Sequence, residues 1–124
     1  MKGFEQFVHK QYSATDTPVV TITKTKLFNF NSYAMKHIIK GYDHISLFFN
    51  KEKSQVGFKL LTEETDYSYP IRKSRRENLG SISGIAFLKY YKIAPKDTKR
   101  YKIDYDDEEK MMVINIKEPI NKKK

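Results

Sequence analysis

Phe30-Asn31-Ser32-Tyr33-Ala34-Met35-Lys36-His37-Ile38 and Ile82-Ser83-Gly84-Ile85-Ala86-Phe87-Leu88-Lys89-Tyr90 carry one apolar pattern twice, 52 residues apart. Apolar side chains coincide at 30/82, 33/85, 34/86, 35/87 and 38/90. Further along, Ile45-Ser46-Leu47-Phe48-Phe49-Asn50 lies over Tyr101-Lys102-Ile103-Asp104-Tyr105-Asp106, and Val56-Gly57-Phe58-Lys59-Leu60 over Met112-Val113-Ile114-Asn115-Ile116, both at an offset of 56. The second half therefore carries four extra residues between helix and hairpin. Each half reads as one supersecondary unit, and two units make one fold.

The elements follow from local chemistry. Val19-Val20-Thr21-Ile22-Thr23 is β-branched throughout and predicts a strand. Lys24-Thr25-Lys26 is a polar turn, and 27–30 a short extended piece. Asn31 can cap a helix over 32–39, its side-chain oxygen accepting from an amide of the first turn. Tyr33, Met35, Ile38 and Ile39 are then available to the core, and Gly41 fits the left-handed position past the helix. Strands over 45–49 and 55–60 form a hairpin. The second half repeats this order: a strand over 67–73, a charged loop over 74–78, an extended piece over 79–82, Ser83 as the cap, a helix over 85–91, and a hairpin of 100–105 with 110–116. Alternation points Ile45, Leu47, Phe49, Phe58 and Leu60, with Ile103, Tyr105, Ile114 and Ile116, inward. Phe4, Phe7, Val8 and Tyr12 fit either a short amphipathic helix or an irregular leading strand.

A β-α-β-β unit of this size cannot bury both sides of its hairpin alone. Two can, by interleaving into a closed barrel that leaves few free edges. The expected fold is mainly β (α+β), a single domain over 1–124. Its pseudo-repeats cover about 19–62 and 67–117, followed by a basic tail over 118–124 whose last residues, Asn121-Lys122-Lys123-Lys124, should be disordered.

The chain holds 24 Lys and Arg against 15 Asp and Glu, a net charge of +9, which favours polyanionic partners. Residues 70–102 contain ten Lys or Arg against two acids, and all four arginines lie there. No stretch approaches the ~20 apolar residues of a membrane span, and the start lacks the apolar run of a signal peptide. Without cysteine there is neither a disulfide framework nor a thiolate metal site, and a reducing cytoplasm is the simplest location. His9, His37 and His44 lack metal-ligand spacing, and the acidic run 104–109 lacks the central glycine and terminal glutamate of a calcium loop. Phosphate-binding glycine loops and nucleophile motifs are absent, so no enzyme and no cofactor is expected. Tyr67, Tyr69, Tyr90 and Tyr91 read as core and rim, with base stacking as the alternative.

The second half, over 69–116, resembles the AbrB-type DNA-binding domain, the swapped-hairpin barrel of bacterial transition-state regulators and many antitoxins. The shared parts are a strand, a basic loop ending in Gly80, the Ser81-Ile82-Ser83 piece, a short helix ending Tyr90-Tyr91-Lys92-Ile93, and a hairpin with an acidic turn. That family carries Gly-Arg-apolar-x-Ile-Pro before its helix. Here Leu79-Gly80-Ser81-Ile82-Ser83-Gly84 keeps the glycine and one isoleucine and lacks the arginine and proline. The resemblance implies a swapped-hairpin-like barrel with both halves in one chain, either a pseudo-dimeric monomer or a homodimer. It further implies double-stranded DNA as the partner, bound by Arg72, Lys73, Arg75, Arg76 and Lys89 in the second half and by Lys24, Lys26 and Lys36 in the first. The alternative is a non-enzymatic protein-interaction module whose basic face meets an acidic partner. A DNA reader needs both basic loops on one face, whereas an interaction module shows an apolar patch ringed by charge.

Overall fold

The computed structural model describes residues 17–74 and 78–120. The leading segment with Phe4 and Tyr12, the loop residues Arg75 and Arg76, and the terminal Lys122, Lys123 and Lys124 lie outside the described residues.

Two antiparallel five-stranded sheets make up the fold. The elements in chain order are β1 (Val19–Ile22), β2 (Leu27–Phe30), α1 (Ser32–Ala34) continuing as a π-helical stretch (Met35–Ile39), β3 (His44–Asn50), β4 (Gln55–Leu61), β5 (Ser68–Pro70), β6 (Arg72–Ser74), β7 (Leu79–Ser83), α2 (Ile85–Tyr90), β8 (Lys99–Lys102), β9 (Asp104–Asp106) and β10 (Met111–Asn115). One sheet has the order β6-β7-β2-β1-β8, the other β5-β3-β4-β10-β9.

Strand pairing carries the signature of the repeat. A two-fold axis through an antiparallel pair must bring one residue opposite its own equivalent. At β2·β7, Asn29 faces Ser81, 52 residues on, while Phe28 faces Ile82 and Phe30 faces Gly80. At β4·β10, Gly57 faces Val113, 56 residues on, flanked by Val56 opposite Ile114 and Phe58 opposite Met112. These are the two offsets of the sequence pattern. Each sheet therefore has the partner strands of the two halves joined at its centre.

The outer strands depart from this symmetry. In the first hairpin Val20 pairs with Phe30, but in the second Arg72 pairs with Ser81, one residue short of the equivalent register. The expected strand over 67–73 is two strands interrupted at Ile71, and that over 100–105 is interrupted at Ile103. Each interruption moves the chain from one sheet to the other. All four sheet edges, β5, β6, β8 and β9, are thus the halves of two bent segments. Bends of this kind make the corners where strands switch sheets.

The core lies between the sheets. Phe58 of β4 meets Phe28 at 5.1 Å and Phe30 at 5.4 Å, both edge-to-face. All three rings are buried with Ile45, Ile82, Leu88, Met112 and Ile114. Of the residues expected inward, Ile45, Phe58, Leu60, Ile103 and Ile114 are buried, and Leu47, Phe49, Tyr105 and Ile116 pack partly buried against them. Phe28 and Gly80 occupy equivalent places, as do Phe87 and Met35. Phe28 packs on Phe87 at 6.2 Å, while a Cβ on Gly80 would come within 2.5 Å of the Met35 sulfur. Two aromatic rings make this contact on one side of the axis, and a glycine and a methionine make it on the other.

Two local expectations need correction. Asn31 caps α1 through Ala34 N–H at 3.0 Å, but the helix widens into a π-turn after Ala34. That widening lets Ile39, five residues past Ala34, be fully buried along with it. Ser83 does not cap α2. It ends β7, and Gly84 takes the cap position without a side-chain bond. Gly84 N–H donates to Lys26 O at 2.8 Å, and a Cβ there would meet the Phe28 ring at 2.5 Å, so only glycine fits. Gly41 has φ of +91°, the left-handed conformation expected after the helix.

Phe58→Ala and Ile114→Ala should each destabilise the protein by about 2–5 kcal/mol, since both leave a cavity between the sheets. Leu47→Ala, at a half-buried position, should cost less. Denaturant melts of the three variants check the ranking.

Candidate nucleic-acid interface

Alternation in the β6-β7-β2-β1-β8 sheet separates two kinds of row. The row Gly80–Phe30–Val20–Tyr101 faces the core and is buried. The next row, Arg72–Ser81–Asn29–Thr21–Arg100, is formed by direct partners on all five strands. By the two-residue period it faces outward. Its members are polar or basic, and each is partly or fully exposed. A groove of about 510 Å³ opens here, lined by Thr21, Asn29, Asn31, Arg72 and Ser81 among others. At ~4.8 Å per strand, the backbones of the two arginines stand about 19 Å apart.

Asn31 stiffens one end of the groove. Its carboxamide oxygen accepts from Val19 N–H at 3.1 Å as well as from Ala34 N–H, and its amide donates to Thr17 O at 2.8 Å. One side chain thus joins helix start, strand start and the preceding chain. At the opposite end, Lys24 N–H donates to Thr98 Oγ1 at 3.1 Å, and the Lys26 carbonyl holds Gly84.

The expected binding residues separate into groups. Arg72 is exposed and terminates the polar row. Lys24 and Lys26 stand on the β1–β2 turn, beside the start of α2. The flanks of the other loop, Ser74 and Asn78, stand at the far end of the β2·β7 pair. The β1–β2 turn and these two flanking residues therefore lie at opposite ends of one sheet. Lys36 and Lys89 are exposed on the two helices. Lys73 is committed elsewhere: its ammonium donates to Asp43 Oδ1 at 2.9 Å and to Tyr42 O at 3.0 Å. This tethers β6 to the start of β3.

Arg100 and Lys102 belong to the basic stretch of the sequence, and nothing in their local spacing marks them as site residues. The β1·β8 pairing places Arg100 opposite Thr21 and Lys102 opposite Val19. The partnership spans about eighty residues of chain, and no local spacing announces it. Among the described residues, the ion pairs are Lys59–Glu109, Lys73–Asp43 and Lys110–Asp107, so Arg72 and Arg100 keep their charge available. Arginine at both ends of a row of hydroxyl and carboxamide groups is chemically suited to phosphate and base edges. On a separate face, exposed Tyr67, Tyr90 and Tyr91 form an aromatic area around α2.

No protein-family model, curated protein or solved structure matches the chain.

The Lys73 hydrogen bond, reinforced by its charge, holds the Asp43 carboxyl below its ordinary value. A lowered folded-state value means the bridge stabilises the fold above the unfolded carboxylate value, and is lost as pH falls through the lowered one. Lys73→Met should therefore be less stable than the unaltered chain at neutral pH, with the gap closing below about pH 4. Denaturant midpoints from pH 7 down to about 2.5 measure this, and the effect should be small because both groups are largely exposed.

Proposed function

We propose that this protein binds double-stranded DNA without enzymatic activity, as a transcriptional regulator or antitoxin-type protein of the AbrB-like swapped-hairpin class. The observation that carries this is the outward row Arg72–Ser81–Asn29–Thr21–Arg100 on one sheet, with a basic turn at Lys24–Lys26. Arginines about 19 Å apart at the backbone can straddle a groove about 12 Å wide, with their side chains reaching phosphates on either wall. Ser81, Asn29 and Thr21 then lie over the base edges as donors and acceptors. Lys36 and Lys89 add diffuse attraction to the backbone. The barrel belongs to the same proposal: both sheets share their edges through the bends at Ile71 and Ile103, which supports closure into one ring of strands. A pseudo-dimer in a single chain supplies the two-fold reader that this class otherwise builds from two chains. The cytoplasm is the compartment consistent with this role.

Duplex affinity should fall linearly on a log–log plot against salt, with a slope of about −0.9 per neutralised phosphate. The variant with Arg72, Arg75 and Arg76 all replaced by Ala should lose far more affinity than the one with Lys122, Lys123 and Lys124 replaced, although each loses three charges. A guanidinium makes forked, directed contacts to phosphate and base edges, whereas an ammonium acts as a point charge. Arg100→Ala should weaken binding about as much as Arg72→Ala. Equal losses for both triple variants at one ionic strength would discard the site, and no duplex binding at low salt would discard the function.

A further inference from the structure

The aromatic face lies away from the polar row and breaks the pseudo-symmetry. Where the first half has Ala34, Ile38 and Ile39, the second has Ala86, Tyr90 and Tyr91 at the equivalent positions. Ala34 and Ile39 are fully buried, whereas Ala86 is exposed, Tyr90 is 76% exposed and Tyr91 38%. A groove of about 560 Å³ opens there between α2 and β5, lined by Asp66, Tyr67, Tyr69, Phe87, Tyr90 and Tyr91 among others. Tyr67 on its far bank is 84% exposed. The floor is held by packing: Phe87 meets Tyr91 at 5.0 Å and Phe49 at 6.2 Å, and Tyr90 stands edge-on to Tyr91 at 4.8 Å. The rings are thus supported from beneath while their upper surfaces face solvent.

Among the described residues, Asp66 is the only charged one lining the groove. It is preceded by Glu63 and Glu64 in the same connection. Lys89 is on α2 but does not line the groove; at ~100° per residue it sits about 130° around the helix from the face carrying Ala86, Phe87, Tyr90 and Tyr91. In a chain of net charge +9, the one charge lining this groove is therefore negative.

We propose that the groove is a docking site for an extended, proline-rich segment of a partner protein carrying an arginine or lysine. Polyproline II segments dock between the rings of aromatic-lined grooves and pay little ordering entropy. Their backbone carbonyls, unpaired within the segment, can accept from Tyr67 and Tyr90 hydroxyls. Asp66 pairs with the basic side chain and sets the direction of the bound segment. A nucleic-acid strand would bring phosphates against that carboxylate, so charge favours the cationic peptide.

The test uses the full chain and fluorescence anisotropy with three labelled probes: a proline-rich decapeptide with one arginine, the same peptide with glutamate in its place, and a ten-nucleotide oligothymidylate. The arginine peptide should bind with a Kd on the order of 10–300 μM, and the glutamate peptide about fivefold or more weaker. Tyr67→Ala and Tyr90→Ala should each weaken the arginine peptide about tenfold. Tyr67 is so exposed that its variant should melt like the unaltered chain, which keeps loss of binding separate from loss of fold. Asp66→Asn should erase the preference between the two peptides. No peptide binding at about 1 mM, or binding untouched by Tyr67→Ala, overturns the proposal. So does oligothymidylate binding that falls with Tyr67→Ala while neither peptide binds, which would assign the groove to unpaired bases.

Discussion

The two self-paired seams, β2·β7 and β4·β10, are the constraint on which the rest of this structure depends. Each sheet is built outward from a strand of one half hydrogen-bonded to its equivalent from the other. Phe28 and Phe30 sit in one sheet and Phe58 in the other, all three from the first half, and Ile82, Leu88, Met112 and Ile114 of the second half complete the core around them. The seams add the second half's strands to both sheets around these rings. Burial of this aromatic cluster supplies the favourable free energy, and strand pairing supplies the register.

From the seams the surface chemistry follows. Once Asn29 faces Ser81, the two-residue period sends their whole row outward. Arg72 and Arg100 then arrive at its two ends through hairpin pairing on one side and the β1·β8 crossover on the other. A one-residue slip at β2·β7 would turn Phe28 and Phe30 to solvent, so the core fixes the polar face as strictly as it fixes itself. Asn31 and the Lys73–Asp43 bridge secure the sheet's periphery, where the halves are least alike.

Departures from the repeat are as informative as the repeat. The π-turn after Ala34, the glycine at position 80 and the one-residue shift of β6 each alter packing on one side only. The helices diverge most. The first is folded against the core, and the second presents tyrosines.

Much of this was legible in the chain. The offsets of 52 and 56 determined which strands are equivalent, and alternation determined the inward residues, because both depend on periods local to a strand. The Asn31 cap and the left-handed Gly41 were legible for the same reason: each depends on chemistry within one turn. Ser83 was misjudged as a cap because what decides Gly84 is a carbonyl and a ring from the first half, nearly sixty residues away. The interruptions at Ile71 and Ile103 arise where strands pass between sheets, which no local pattern encodes. Lys73 carried the same sequence signal as Arg72, yet neighbouring strand positions face opposite sides, and Lys73 found Asp43. The sequence by itself determined the repeated apolar pattern and the basic stretch that holds all four arginines. Only the tertiary structure decided that Arg100 joins Arg72 in one row, because that row is made by pairing between segments far apart in the chain.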